Sequence, residues 1–289
     1  MYVLTHSIIS SSLQPPPDVF TVVTATHSLC RQYGALQMDF VSVERVVELL
    51  HLEQEPKGDI NPPAAWPSYA GDIVFENVTM RYAPHLDPAL SNISFRIPAG
   101  STAALLGRTG SGKSTLALAL LATIRPESGR ILIDNVDIAT VNTQALRNRV
   151  TFLAQDPVLF PGTMRHNLDP LDEHSSDACS AVLNRVCNKH AWDLETQVDA
   201  GGKNFSQGQR QLVGLARAVL RRSSIVILDE ATASIDKETA MEIQQILREE
   251  MRESTVITIA HRLEAVKDAD LFIRLEKGRV AAMGAAPVG

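Results

Sequence analysis

Phe40, Val43, Val46, Val47 and Leu50 recur at helical spacing with Glu44, Arg45 and Glu48 between them, which predicts a short amphipathic helix. Ahead of it, residues 1–38 carry apolar patches (Tyr2 to Leu4, Ile8-Ile9, Val19 to Val23) with no clean period. His6, a serine run and Pro15-Pro16-Pro17 interrupt them. From Glu53 to Gly71 the residues Pro56, Pro62, Pro63 and Pro67 exclude a helix and predict an extended linker. The pattern changes at Asp72. Ile73, Phe75 and Val78, then Ile93 to Ile97, alternate as strands do, and the second run stops at Pro98-Ala99-Gly100. Ser101 to Leu106 runs into a glycine loop followed by a Leu/Ala-rich helix from Ser114 to about Ala122. Ile225 to Leu228 and Thr255 to Ile259 are nearly continuous apolar strands, and Ile243, Ile246, Leu247 and Met251 lie at helical spacing between them. Apolar strands alternating with helices predict an α/β fold with a mostly parallel core sheet. The opening strands, which have no helix between them, add an antiparallel part. Three zones follow: an unassigned 1–38, a helix and Pro-rich linker over 39–71, and a domain over 72–289.

Composition narrows the partners. Of 289 residues, 45% are hydrophobic and 21% charged, ordinary for a globular chain able to build a sizeable core. A formal net charge of -6 does not favour nucleic acid or an anionic membrane, so any phosphate site must be a local device. Aromatics at 5% also argue against a base-stacking surface. Cys30, Cys179 and Cys187 have neither disulfide-framework nor metal-type spacing and suit a reducing compartment. The longest apolar stretch, Leu116 to Ile124, falls short of the roughly 18 residues of a membrane span. The N-terminus lacks the basic region of a signal peptide.

Gly107-Arg108-Thr109-Gly110-Ser111-Gly112-Lys113-Ser114 fits G-x-x-x-x-G-K-[ST], with a strand before it and a helix after. Glycines let successive N–H groups turn inward as an anion nest, and the helix start adds its unpaired N–H groups and positive dipole end. Lys113 suits β- and γ-phosphates, and the Ser114 hydroxyl suits Mg²⁺, which takes oxygen ligands. Ile225 to Leu228 ends in Asp229-Glu230. At the carboxyl end of a parallel strand Asp229 can sit near the metal, and Glu230 can face a water beside the γ-phosphate as general base. Asn204-Phe205-Ser206-Gln207-Gly208-Gln209-Arg210-Gln211 precedes the helical run Leu212, Val213, Leu215, Ala216 and Val219. Ser206 and Gln209 form an S-x-x-[EQ] capping box, and Gly208 allows close backbone approach.

The order of glycine loop, Gln155, serine-glycine cap, Asp229-Glu230, Ser234-Ile235-Asp236 and His261 resembles the ABC ATPase family over roughly residues 72–284. Phe152-Leu153-Ala154-Gln155-Asp156-Pro157-Val158-Leu159-Phe160, Gly162-Thr163 and Asn167-Leu168-Asp169-Pro170 are similar to the second nucleotide-binding domain of C-family, multidrug-resistance-associated exporters. Ser42-Val43-Glu44-Arg45 and Pro62-Pro63-Ala64-Ala65-Trp66-Pro67 are similar to that family's join between its last membrane helix and the domain. Read alone, Tyr82 is a buried tyrosine, Gln155 a loop glutamine and His261 a core histidine. The resemblance makes Tyr82 the adenine-stacking aromatic, Gln155 the switch glutamine that senses metal and γ-phosphate, His261 the switch histidine on the γ-phosphate, and Asp236 a loop acid meeting the partner. It implies a P-loop NTPase fold of the ABC type, with a parallel core sheet, an antiparallel β subdomain and an α-helical signature subdomain. The implied nucleotide set is Tyr82, Gly107, Arg108, Thr109, Gly110, Ser111, Gly112, Lys113, Ser114, Thr115, Gln155, Ser206, Gly208 and Gln209. Ser114, Gln155 and Asp229 are the implied metal set, and Glu230 and His261 the catalytic pair, with ATP and Mg²⁺ bound.

One departure stands out. Where the family signature reads Leu-Ser-Gly-Gly-Gln, this chain has Phe205 and Gln207 at the first and third positions, a variation usual in C-family second domains. The resemblance implies that such a signature completes the weaker ATP site on a first domain, while the site of Lys113 and Glu230 is the hydrolytic one. The implied partners are a second nucleotide-binding domain docked head to tail and the membrane-spanning domains of an exporter, with no nucleic acid. The expected place is the cytoplasmic face of a membrane within a full transporter, the chain alone being soluble. Because the resemblance starts in mid-linker, a truncated transporter is expected. The alternative is a stand-alone ABC ATPase with a regulatory role. DNA-repair relatives interrupt the domain with a coiled coil, and no heptad run lies between Lys113 and Ser206. Translation-type relatives usually carry two cassettes, and this chain has one Walker pair.

Overall fold

The computed structural model describes residues 17–52, 54–55, 58–67, 71–229, 237–260, 266 and 269–286. Two compact units divide the chain, Met1–Pro56 and Lys57–Gly289. In the first, α1 runs over Pro17–Leu50, 34 residues, far beyond the helix expected at residues 40–50. Pro17 opens it, in the first turn, where an N–H has no partner within the helix and its absence costs little. Thr24 and Thr26 turn their hydroxyls back to the carbonyls of Phe20 (2.9 Å) and Val22 (2.8 Å), which lets polar residues sit inside the helix. The described side chains of α1 are exposed along its whole length, those of the apolar period at residues 40–50 included, so no buried face requires that period to continue through the N-terminal part of the helix. No described helix is long and apolar enough to cross a membrane.

The second unit starts ahead of the expected boundary at residue 72. Residues 58–67 hold no helix, as their prolines require; they include a turn closed by the Trp66 N–H on Pro63 O (2.9 Å), and they are packed down. Ile60 bridges Val141 in parallel, its N–H donating to Thr140 O (3.0 Å) while its own carbonyl accepts from Asn142 (2.8 Å). Trp66 is 6% exposed and donates its indole N–H to Ile133 O (3.0 Å). The Arg149 guanidinium lies 5.8 Å from the Trp66 ring centre and donates to Pro63 O (2.8 Å) and to Trp66 O. One buried indole gives this short segment the apolar area that anchors it.

After it come β1 (Ile73–Met80), β2 (Leu90–Ile97), β3 (Thr102–Leu106), α2 (Lys113–Leu120), β4 (Ser128–Ile133), β5 (Val136–Asp137), α3 (Thr143–Arg147) and β6 (Val150–Leu153). The chain continues through β7 (Gly162–Thr163), α4 (Met164–Leu168), α5 (Ser176–Val186), β8 (Gln197–Val198), α6 (Gln207–Arg221) and β9 (Ile225–Asp229). It ends with α7 (Lys237–Glu250), β10 (Thr255–Ala260), β11 (Leu271–Glu276) and β12 (Arg279–Ala285). One sheet, β2-β1-β4-β5, is antiparallel, with the Phe75 and Phe95 rings stacked at 4.5 Å across the β1–β2 pair. A second, β12-β11-β3-β10-β9-β6, is parallel except at β12, and β7 and β8 form a small antiparallel pair, so the mostly parallel core and the added antiparallel part both appear.

The core explains why β9 reads as an unbroken apolar run. Ile225 and Ile227 face a cluster shared with β1, β2 and α2. Val226 and Leu228 face the opposite cluster, with Leu212, Leu215 and Val219 of α6 and Val182 and Leu183 of α5. A strand covered on both faces needs apolar residues at every position. Burying each such aliphatic side chain contributes roughly 1.5–3 kcal/mol.

Candidate functional site

The glycine loop leaves β3 at Gly107 and enters α2 at Lys113. A Cβ on Gly107 would lie 2.3 Å from Ser111 Oγ and 2.6 Å from Leu275 O, so the loop closes on itself only without a side chain there. Gly112 caps α2 in the left-handed region at φ 104°. Lys113 is 5% exposed, and its ammonium donates to the carbonyls of Gly107 (2.8 Å) and Arg108 (3.2 Å). Arg108, Thr109, Gly110 and Ser114 are exposed, while Ser111 and Thr115 are buried. Tyr82 is brought to this cluster: its hydroxyl lies 2.9 Å from Thr115 Oγ1, and 55% of the residue remains exposed.

Sheet register brings the other elements to the same edge. Ile259 of β10 pairs with Leu105 on one side and Asp229 on the other. Asp229 is therefore level with the end of β3 and two strands away, about 10 Å at ordinary strand spacing. Leu153 pairs with Leu228 on the far side of β9, and Gln155 follows two residues later, exposed. β10, between β3 and β9, ends at Ala260. Glu230, Ser234, Ile235, Asp236 and His261 lie outside the described residues. Glycine loop, Asp229 and Gln155 thus share the carboxyl edge of one parallel sheet, where open α/β sheets gather ligands.

Ser206, Gly208 and Gln209 stand apart from the glycine loop. They begin α6, which packs on β6, three strands or about 14 Å from β3. The capping box is reciprocal: Ser206 Oγ accepts from Gln209 N (3.2 Å), and Gln209 Oε1 accepts from Ser206 N (2.9 Å). Phe205, the departure from leucine, is buried and meets the Trp192 ring edge-on at 4.9 Å, so the larger residue serves as a core anchor under the cap.

Several supporting residues escaped sequence reasoning. Gly278, in the β11–β12 turn, donates to Ser111 O (3.1 Å) and accepts from Ser91 N (2.7 Å), bracing the glycine loop from 167 positions away, counting from Ser111 to Gly278. Arg217 of α6 donates to Asn167 O (2.5 Å), Val158 O (2.7 Å) and Asn167 Oδ1 (3.0 Å), and burial pulls its pKa down. The buried Asn167 in turn holds Phe160 through both backbone groups (2.9 and 2.8 Å). Burial pushes the Asp169 carboxyl upward. N–H groups of His174 (2.7 Å) and Glu173 (3.1 Å) and the Arg165 guanidinium (3.0 Å) outweigh that and hold it at about 2. Polar residues on α6 were the sequence signal: Gln211 directly precedes its apolar run and Arg217 interrupts it.

For a metal, the donor set on the shared edge is a hydroxyl at Ser114, a carboxylate at Asp229 and an amide at Gln155. All are oxygen donors, the chemistry a hard cation such as Mg²⁺ takes, so the residues fit it. Among the described residues no group of three His, Cys, Asp or Glu side chains could hold a metal by itself.

Residues 90–233 match the family model described as "ABC transporter". The chain is 40% identical over 87% of its length to a pleiotropic ABC efflux transporter of multiple drugs from Candida glabrata, and 42% identical over 87% to the ATP-dependent bile acid permease of Saccharomyces cerevisiae. It is also 40% identical over 92% to ATP-binding cassette sub-family C member 2 of Rattus norvegicus. It spans only 17–18% of the length of these relatives. A bacterial Atm1-family ABC exporter solved with ATP bound superposes with a TM-score of 0.80 at 31% identity, covering 88% of this chain and 45% of that one. Glycine loop, acid-ended strand and capped helix, set on this sheet and matched by these relatives, are those of the nucleotide-binding ATPase domain of ABC transporters, and the chain belongs to that family.

Proposed function

We propose that this chain binds ATP with Mg²⁺ on its glycine loop and hydrolyses it to drive export through membrane-spanning domains, on the cytoplasmic face of a membrane. The observation that most supports the reading is the common edge of β3, β9 and β6, on which the glycine loop, Asp229 and the Gln155 loop all lie. Loop N–H groups and the α2 N-terminus cradle phosphate oxygens, and the Lys113 ammonium exchanges its loop carbonyls for the β- and γ-phosphates. Ser114, Asp229 and Gln155 would hold Mg²⁺, whose charge offsets that of the phosphate oxygens. Tyr82 offers its exposed ring face to adenine. Glu230 orients and deprotonates the attacking water, and His261 with Lys113 stabilises charge on the γ-phosphoryl group, positioning and electrostatics being most of the catalysis in such transfers.

A second nucleotide-binding domain docks head to tail, its nucleotide meeting the α6 cap at Ser206, Gly208 and Gln209. Support for export comes from the relatives, whose names are those of efflux transporters and permeases. Lys113→Ala should weaken ATP binding by about 10–100-fold, the loss of charge-assisted hydrogen bonds, in a calorimetric titration. Glu230→Gln should bind ATP and release no phosphate. Unchanged affinity in the first variant, or unchanged turnover in the second, overturns the corresponding role.

A further inference from the structure

The face of α6 that follows the cap grips the Gln155 loop. Gln211 is 2% exposed, and its Nε2 donates to the carbonyl of Ala154 (3.4 Å) and to that of Gln155. Two carbonyls on one side fix the amide's orientation, because only its NH₂ end can face them. The other end, Oε1, is then buried without a hydrogen-bond partner. An unsatisfied buried acceptor is destabilising, so stability alone does not explain a glutamine here. One residue earlier, Arg210 reaches Asp156 Oδ1 (3.2 Å from Nε, 3.1 Å from Nη2). One turn later, Gly214 lies so close to the loop that a Cβ would meet Leu153 Cδ1 at 2.7 Å and Pro157 Cγ at 2.8 Å.

We infer that Gln211 is a positioning residue: it ties the backbone of Gln155 to the helix whose first turn is the signature cap, so that metal engagement at one ATP site is felt at the cap that completes the other. This rests on the proposed role of Gln155 as a metal ligand. Outer partners of a metal ligand commonly change metal affinity by about 10–100-fold when removed. Gln211 sits four residues beyond Gln207, about one turn into the same 15-residue helix, so a shift of the Gln155 carbonyl acts on the cap through a single rigid element.

The test is ATP titration of the chain with and without Mg²⁺, reading the gain in affinity that the metal brings. Gln155→Ala should lose that gain. Gln211→Met, equal in shape but without a donor, should bind metal-free ATP as the parent does and lose about tenfold of the gain. The double variant should match Gln155→Ala alone, since the two changes act on one group. If Gln155→Ala keeps the gain, the metal-ligand reading fails and this inference with it. If Gln155→Ala loses the gain while Gln211→Met keeps it, or if the two losses add, only this inference is overturned. Should Gln211→Met fail to fold, hydrogen exchange on the parent decides. At concentrations where the chain is monomeric, Mg²⁺·ATP but not metal-free ATP should protect the amides of Gln207, Gly208 and Gln209, and equal protection by both overturns the coupling.

Discussion

Replacing Gly112 by alanine separates backbone strain from collision in the glycine loop. Gly112 holds φ 104° and ψ 6°, which an L-residue adopts at a cost of about 1–3 kcal/mol. Its new Cβ would also lie 2.6 Å from Leu90 Cδ2 and 2.8 Å from Ala89 O. The leucine methyl belongs to a fully buried side chain, and the carbonyl is backbone beside β2, so neither yields without moving the edge of the antiparallel sheet. Overpacking of that kind adds about 1–3 kcal/mol, for a total near 2–6 kcal/mol. Gly110→Ala is the control. It too has positive φ, 78°, but nothing lies within 4 Å of its Cβ, so only about 1–2 kcal/mol of backbone strain is expected. Urea unfolding followed by circular dichroism measures both, and ATP calorimetry shows whether the relaxed loop still binds. Equal destabilisation by the two substitutions would refute the steric part, and a Gly112→Ala protein as stable as the parent would refute the whole.

Three further outcomes are expected. Asp169 is held at about 2, below the ordinary carboxyl value of 3.8, so its contribution is complete above pH 4 and disappears as pH falls through 4 toward 2. The stability difference between parent and Asp169→Asn should shrink over that window by about 1 kcal/mol after allowance for solvent screening, read from urea curves at successive pH values. Trp66→Ala should cost about 3–5 kcal/mol, as for an indole in a core, while Ile60→Ala in the same segment, half exposed, should stay within about 1 kcal/mol. Equal small effects would show that residues 58–67 do not belong to the folded unit. Finally, Cys30 is exposed, while burial, with Glu242 nearby, pushes the Cys187 thiol up to about 12. A thiol reagent at pH 8 should label Cys30 and reach Cys187 only after unfolding, as mass spectrometry of the labelled peptides would show.

Much of the domain was legible because its signals are local. The glycine loop needs particular backbone angles at Gly110 and Gly112, and only glycine adopts them at low cost, so the motif is written in consecutive residues. The Ser206–Gln209 box is likewise a contact between residues three apart. The N-terminal part of α1 was not legible, because its exposed side chains are under no packing constraint to keep an apolar period, and the period at residues 40–50 does not extend into it. Residues 58–67 read as linker because prolines dominate, and the single Trp66 that holds them down acts through Ile133 and Arg149, far along the chain.

By itself the sequence determined which chemistry is available: an anion-binding loop, an acid-ended apolar strand and a capped helix, each requiring only near neighbours. Tertiary structure alone decided that Asp229 lies two strands from the loop, that Gly278 braces Ser111, and that Gln211 and Arg217 of one helix hold the segment from Ala154 to Asn167. Those relations depend on strand order and helix packing, which place side chains dozens of residues apart within a few ångströms, and no spacing along the chain encodes them.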